Sequence, residues 1–397
     1  MNSQTKIFLI LCLIGFFAIL SSTMSKSPVL PSFAAYLQTP EGFWTGLVAS
    51  ASTIPGILIS LPAGSLSDVL GRRKVLLFSS FIFASAPFLY LLINSWWQLI
   101  LVRFYHGFAT GIFVPVAQAF VAEIFPKKRG ERISLFSSVT VVGRNIAPVL
   151  GGYILLVTSN NFHSLYLAVG FAGVTAFITA LAFLGKKRGA TENRGNSSSK
   201  SVIHGWREIV KAPGMLVTSF VEAAQYYVYG SVEFFLVKYA GEIAGLDSFL
   251  QGVIVASALF IVMIFKPLLG RVSDSIGRRK PIILGCLISA VPLVATPFFT
   301  QFPVLLLFAI AYGLGFSMVT SSTPALASEL VSIKLVGGAM GFLGTIMDVG
   351  QTLGPIISGL ILATNLQYYG VFPSLSFVLL FSCTIFVLSG TAKSKFK

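Results

Sequence analysis

Long apolar runs separated by turn or charge signals dominate the chain. They lie near residues 6–36, 43–66, 75–94, 96–122, 132–157, 163–184, 213–239, 248–269, 281–300, 303–328, 337–363 and 369–390. A helix needs about 20 apolar residues to cross the hydrocarbon of a bilayer. The pattern therefore predicts an all-α membrane protein of twelve transmembrane helices. The first run is long and passes through Pro28 and Pro31, so its outer part is expected to bend or break. Polar, Gly/Ser-rich residues 185–212 divide the chain into an N-terminal six-helix bundle, 1–184, a linker, 185–212, and a C-terminal six-helix bundle, 213–397. Within that linker Trp206, Ile209 and Val210 suggest a short helix lying on the inner leaflet.

Composition supports the same class. Of 397 residues, 55% are hydrophobic and 10% charged, against roughly a quarter charged in soluble domains. A net charge of +15 would fit nucleic acid, but 23 of the 28 Lys and Arg residues fall at alternate inter-helix connections or at the termini. That is the positive-inside distribution. It predicts a multi-pass protein of the plasma membrane with both termini cytoplasmic, in contact with lipid and binding no nucleic acid. Cys12, Cys286 and Cys383 sit in apolar runs without metal or disulfide spacing. No metal and no cofactor are expected. The absence of a Gly-x-x-x-x-Gly-Lys-Ser/Thr run argues against nucleotide-driven work and leaves an ion gradient as the energy source.

The halves repeat. Gly64-Ser-Leu-Ser-Asp68-Val-Leu-Gly71-Arg72-Arg73-Lys74 returns 206 residues later as Gly270-Arg-Val-Ser-Asp274-Ser-Ile-Gly277-Arg278-Arg279-Lys280. A second pair, Ala147-Pro148-Val-Leu-Gly151 and Gly354-Pro355-Ile-Ile-Ser-Gly, has its prolines 207 apart. Two pairs at nearly one offset imply duplication. In each copy of the first, a carboxylate at the inner end of a helix needs a cation, which the following arginines supply, and the glycine allows a tight reversal.

This Gly-x-x-x-Asp-x-x-Gly-Arg-Arg-Lys loop between helices two and three, and again between eight and nine, resembles the signature of the major facilitator superfamily. The resemblance covers essentially the whole chain and implies two pseudo-symmetric bundles rocking around a central site. It also implies a cytoplasmic conformational gate at Gly64, Asp68, Gly71, Arg72, Arg73, Gly270, Asp274, Gly277, Arg278 and Arg279. Arg103-Phe-Tyr-His-Gly107-Phe-Ala-Thr-Gly111 is similar to the family's Arg-x-x-x-Gly-x-x-x-Gly pattern, whose arginine is associated with proton coupling. Gly143-Arg144-Asn-Ile-Ala147-Pro148-Val-Leu-Gly151-Gly152 resembles the fifth-helix motif of the drug:proton antiporter branch, with Ala147 in place of a glycine and Arg144 where that branch is small and apolar. Gly143, Pro148, Gly151, Gly152, Gly354 and Pro355 are thus expected to pack helices.

Ionisable side chains within the membrane are costly and point to function. Arg144 and Asp348 lie about 11 to 12 residues into their runs, roughly 17 Å deep, as a switchable pair, a permanent one, or separate substrate and proton sites. Glu222, Tyr226, Tyr229 and Glu233 follow a 4, 3, 4 spacing and share one helix face. Glu222 is a candidate proton carrier and Tyr226 a candidate substrate contact, while Glu233 is expected to meet Lys238. His106 reads as a packing residue and Lys266 as a snorkelling one. Thr320-Ser321-Ser322-Thr323 before Pro324 would satisfy backbone groups at a kink. The pathway set is Arg103, Arg144, Glu222, Tyr226 and Asp348. The expected function is non-enzymatic: a monomeric, proton-coupled exporter of a small organic solute by alternating access. The alternatives are an importer of an organic anion or sugar and, more remotely, a non-transporting receptor.

Overall fold

The computed structural model describes residues 3–125, 129–184, 208–332 and 335–391; within these, side chains at 3, 60–62, 64–66, 68, 129–131 and 337 are left aside. The described residues form helices α1 (Ser3–Met24), α2 (Val29–Tyr36), α3 (Phe43–Ser50), α4 (Ile54–Leu70), α5 (Arg72–Tyr90), α6 (Trp96–Ile124), α7 (Arg129–Val157) and α8 (Phe162–Leu184). They continue with α9 (Met215–Glu242), α10 (Ser248–Ile276), α11 (Arg279–Ala295), α12 (Phe302–Glu329), α13 (Val336–Leu362) and α14 (Gln367–Leu388). Among the described residues, nine helices are long and apolar enough to cross a membrane.

The three other expected spans each have a physical reason to fall short. The second is broken into α3 and α4 around residues 51–53, ahead of Pro55. The third, α5, opens on three consecutive cations, and α9 carries Glu222, Glu233, Lys238 and Glu242. The first run is interrupted at 25–28, between α1 and α2.

The chain divides into two compact units. Unit 1 comprises Met1–Thr39, Ala51–Gly195 and Asp247–Ala256, and unit 2 comprises Pro40–Ser50, Asn196–Leu246 and Ser257–Lys397. Segment 40–50, from the first half of the sequence, therefore groups with unit 2, and 247–256, from the second, groups with unit 1.

In unit 1, α1 packs on α7 and α8, and α6 packs on α4 and α5. Phe8, Leu11, Phe83, Phe113 and Phe136 lie in its core. In unit 2, α13 packs on α9 and α3, and α11 packs on α12 and α14. Helices in lipid gain little from burying apolar area against one another, so small residues that let backbones approach matter more. A Cβ on Gly354 would stand closer than 3.0 Å to the Tyr227 carbonyl, and one on Gly152 would meet the Ser248 carbonyl as closely. The two units repeat this contact. The Pro148 carbonyl fills the space above Gly252, and the Pro355 carbonyl the space above Gly46.

Most of the linker, 185–207 with Trp206, lies outside the described residues. Residues 208–211 are helical. Ile209 does not face outward as a leaflet-bound helix would require; it is 1% exposed among Met215, Ala327, Ala339, Phe342 and Leu343 of unit 2, while Val210 is exposed.

Candidate functional site

The repeated loop makes the same turn twice. Gly71 and Gly277 adopt φ of +93° and +86°, a region that favours glycine because a Cβ would clash. Each turn delivers an arginine to the C-terminal end of the next-but-one helix. Arg72 Nε donates to Glu123 Oε2 at 2.9 Å and its Nη1 to Ser67 Oγ at 3.0 Å. Arg278 Nε donates to Glu329 Oε1 at 2.9 Å and its Nη1 to Ser273 Oγ at 3.3 Å, and it also forms an ion pair with Asp274. Burial works against the Arg278 charge, but the Glu329 and Asp274 carboxylates outweigh it and raise its pKa above the ordinary value. Gly64 and Asp68 lie outside the described side chains. Arg73 stands over the Phe120 ring at 6.0 Å, Arg279 Nη2 donates to the Val387 carbonyl at 3.0 Å, and a Cβ on Gly270 would meet the Ser321 Cβ at an ordinary 3.9 Å.

Glu123 and Glu329 were not singled out from the sequence. Both follow their arginine by 51 residues, so the 206-residue offset that exposed the repeat would have found them.

In the interior of unit 1, Arg103 is 1% exposed and its Nη2 donates to Ser52 Oγ at 2.9 Å, in the break between α3 and α4. Gly107, one turn on, has no Cβ and so lets the Ser52 carbonyl approach α6. The break is thus a tertiary feature, fixed by α6. Tyr90 stacks on Tyr166 with centroids 4.5 Å apart, its hydroxyl in hydrogen-bond reach of Arg103. His106 Nδ1 lies 3.4 Å from Tyr90 Oη and 3.5 Å from Ser25 Oγ. Arg144 is exposed on α7. Beside it on that helix, Gly143 lies against the Phe16 carbonyl of α1, 2.7 Å from where its Cβ would be, and Gly151 against Met24.

Unit 2 differs. Glu222, 3% exposed, accepts a hydrogen bond from Thr323 Oγ1 on α12. Lys266 of α10 lies in electrostatic reach of the same carboxylate, which gives it a neighbour that simple snorkelling does not require. The other hydroxyls of the run bond back to their own helix: Thr320 to Phe316, and Ser321 and Ser322 to Met318. Pro324 has no N–H for the carbonyl four residues before it. Gln225 Nε2 approaches Cys286 Sγ at 3.6 Å. Tyr226 and Tyr229 are half-buried and each has its ring 5.3 Å from that of Phe316. Asp348 is half-buried on α13. Lys238 is held by Glu242 at 2.7 Å and Glu41 at 3.3 Å, and Tyr368 Oη donates to the same Glu242.

The residues expected to form the pathway fall into two sets, Arg103 and Arg144 in unit 1, and Glu222, Tyr226 and Asp348 in unit 2. A family model described as Major Facilitator Superfamily matches residues 11–265 and 235–396. The chain belongs to this superfamily. It is therefore a non-enzymatic, multi-pass membrane transporter that meets lipid and a small-molecule substrate.

Relatives narrow the branch. The Multidrug resistance protein MdtG of Escherichia coli (strain SMS-3-5 / SECEC) is 28% identical over 370 residues, 89% of this chain and 87% of that protein. MdtG of Enterobacter lignolyticus is 26% identical over 375 residues, 91% and 87% of the two chains. These place the superfamily member close to the drug:proton antiporter branch. Among solved structures, a bacterial homolog to the human lysosomal transporter Spinster, inward-facing and unoccupied, superposes with a TM-score of 0.84 at 15% identity over 100% of both chains. The nucleoside transporter NupG superposes with a TM-score of 0.77 at 15% identity, again over 100% of both. At that identity the likeness shows the fold.

Proposed function

We propose that this transporter is a proton-coupled exporter of small organic solutes, working by alternating access in the plasma membrane with both termini cytoplasmic. Glu222 carries the reading. An enclosed carboxylate on a transmembrane helix, contacted by a hydroxyl and in reach of a lysine, can take up and release a proton as its access to water changes. Asp348 is the second acidic member of the pathway, with Arg103 and Arg144 as its basic members and Tyr226 as a solute contact. The MdtG relatives, multidrug resistance proteins by name, support export. One chain holds both repeats, so a monomer suffices, and a proton gradient replaces any cofactor.

Substrate flux in proteoliposomes under an imposed pH gradient tests the coupling. Flux should follow the gradient and stop when an ionophore collapses it. Flux that ignores the gradient would rule the coupling out.

A further inference from the structure

Cys286 and Cys383 stand 97 residues apart in sequence, too far for any local spacing to pair them, yet unit 2 folds them together. Cys286 lies on α11 and Cys383 on α14, two helices that pack on each other. Both belong to one cluster, 0% and 6% exposed, and the Cys286 thiol is in hydrogen-bond contact with the Cys383 sulfur. Beside Cys286, a Cβ on Gly285 would stand 2.7 Å from the Gly315 carbonyl. That close crossing with α12 pins the α11 side of the pair.

Unpartnered polar atoms lie next to the thiols. Gln225 of α9 is fully buried and donates from Nε2 to Cys286 Sγ at 3.6 Å, while its Oε1 has no hydrogen-bond partner among the described residues. Ser289 Oγ, one turn along α11 from Cys286, is orphaned in the same way. A buried acceptor left without a donor costs about 1 to 3 kcal/mol. The rest of the cluster is apolar, with Val221, Ile282, Val319, Leu326 and Phe386.

Two adjacent thiols in apolar surroundings select narrowly. Zinc takes four ligands, and no group of three or more His, Cys, Asp or Glu among the described residues could hold a metal ion. A linear sulfur–metal–sulfur unit would push the sulfurs out of contact, and a singly charged soft cation on two thiolates would leave a net charge in the bilayer. Closing the pair as a disulfide would bring no donor to the orphaned oxygens. A monosubstituted trivalent arsenical, R–As(OH)2, meets every condition. It is uncharged, its bond angle at arsenic keeps two sulfurs close, and its hydroxyls can donate to the Gln225 oxygen on arrival.

We infer that Cys286 and Cys383 form a binding site for a monosubstituted trivalent arsenical, held as R–As(S-Cys)2. Each thiol gives its proton to one arsenic-bound hydroxyl; two As–O bonds break, two As–S bonds form and two waters leave. Arsenic stays trivalent, so no oxidant or reductant takes part. The adduct staples α11 to α14, and it needs neither a gradient nor a cargo.

The test treats the purified, reduced full chain in detergent with methylarsonous acid, then with excess 2-mercaptoethanol, which strips arsenic from single thiols. Intact-mass spectrometry should find one CH3As per chain in place of two hydrogens. Cys286→Ala and Cys383→Ala should each lower the retained adduct about 100-fold, because the second thiol no longer acts at high effective concentration. Cys12→Ala should leave it unchanged, since that thiol lies in unit 1. Arsenic-edge X-ray absorption of the wild-type adduct should show two sulfur neighbours and no oxygen, which decides the matter even if a variant fails to fold. Loss of the arsenic to the monothiol, retention unmoved by Cys383→Ala, or a single sulfur neighbour would each overturn the proposal.

Discussion

Inside unit 1 the polar side chains gather around a buried cation, Arg103, with Ser52 and Tyr90 at its guanidinium and the His106 ring beyond. Inside unit 2 they gather around carboxylates, Glu222 under Thr323 and Glu233 among tyrosines. At the repeated turns the two units agree almost atom for atom, Arg72 on Glu123 and Ser67, Arg278 on Glu329 and Ser273. The 206-residue offset that pairs these ends also pairs Arg103 with Ala309 and His106 with Tyr312. Duplication therefore supplied one turn twice, while the charges within the membrane arose on one side or the other. The repeated turn makes matching contacts in both copies. A charge in the bilayer is costly wherever it stands, so it persists where a particular chemistry uses it.

That contrast can be broken most sharply at Glu222. Glu222→Gln should lower gradient-driven flux at least about 100-fold while substrate exchange without a gradient persists, measured side by side in proteoliposomes. Wild-type flux from the variant would deprive unit 2 of its special role.

The packing motif gives the next largest effect, on stability. Ala147 and Gly354 are counterparts beside the two prolines, yet Gly354 has the Tyr227 carbonyl where a methyl would go and Ala147 already carries one. Gly354→Ala should cost about 2 to 3 kcal/mol by overpacking, and the opposite swap, Ala147→Gly, about 1 kcal/mol through helix propensity. Thermal unfolding in detergent reads both, and equal costs would mean that the two helices pack alike after all.

Arg103→Met should cost about 2 kcal/mol, since it leaves Ser52 and Tyr90 without the charged donor. The repeated turns should give the smallest effects. Arg278→Ala and Arg72→Ala should each cost about 1 kcal/mol, both shrinking at high salt because these pairs are partly exposed. Clearly unequal losses would break the likeness of the two turns.

Much of the architecture was legible beforehand because apolar runs of membrane length and a loop repeated at fixed offset are both linear signals. The interruption around Pro28 was readable from the prolines. The break at 51–53 was not, although Pro55 and Gly56 stand beside it, because its cause lies on another helix, at Arg103 and Gly107. Periodicity put Glu222, Tyr226, Tyr229 and Glu233 on one face, but it could not separate the enclosed Glu222 from the half-buried remainder. That division comes from Thr323 and Phe316 on α12, about 100 residues away in sequence and invisible to any local pattern. Lys238 shows the same limit: Glu41 reaches it from the first half of the chain.

Ile209 has a practical consequence for anyone dividing the gene. Its side chain closes the cluster formed by Met215, Ala327, Ala339, Phe342 and Leu343, although it belongs by sequence to the connector. A two-fragment version expressed from separate reading frames should therefore be cut upstream of Glu208, so that the second polypeptide keeps its own stopper. A cut placed just before α9 would hand that stopper to the wrong fragment.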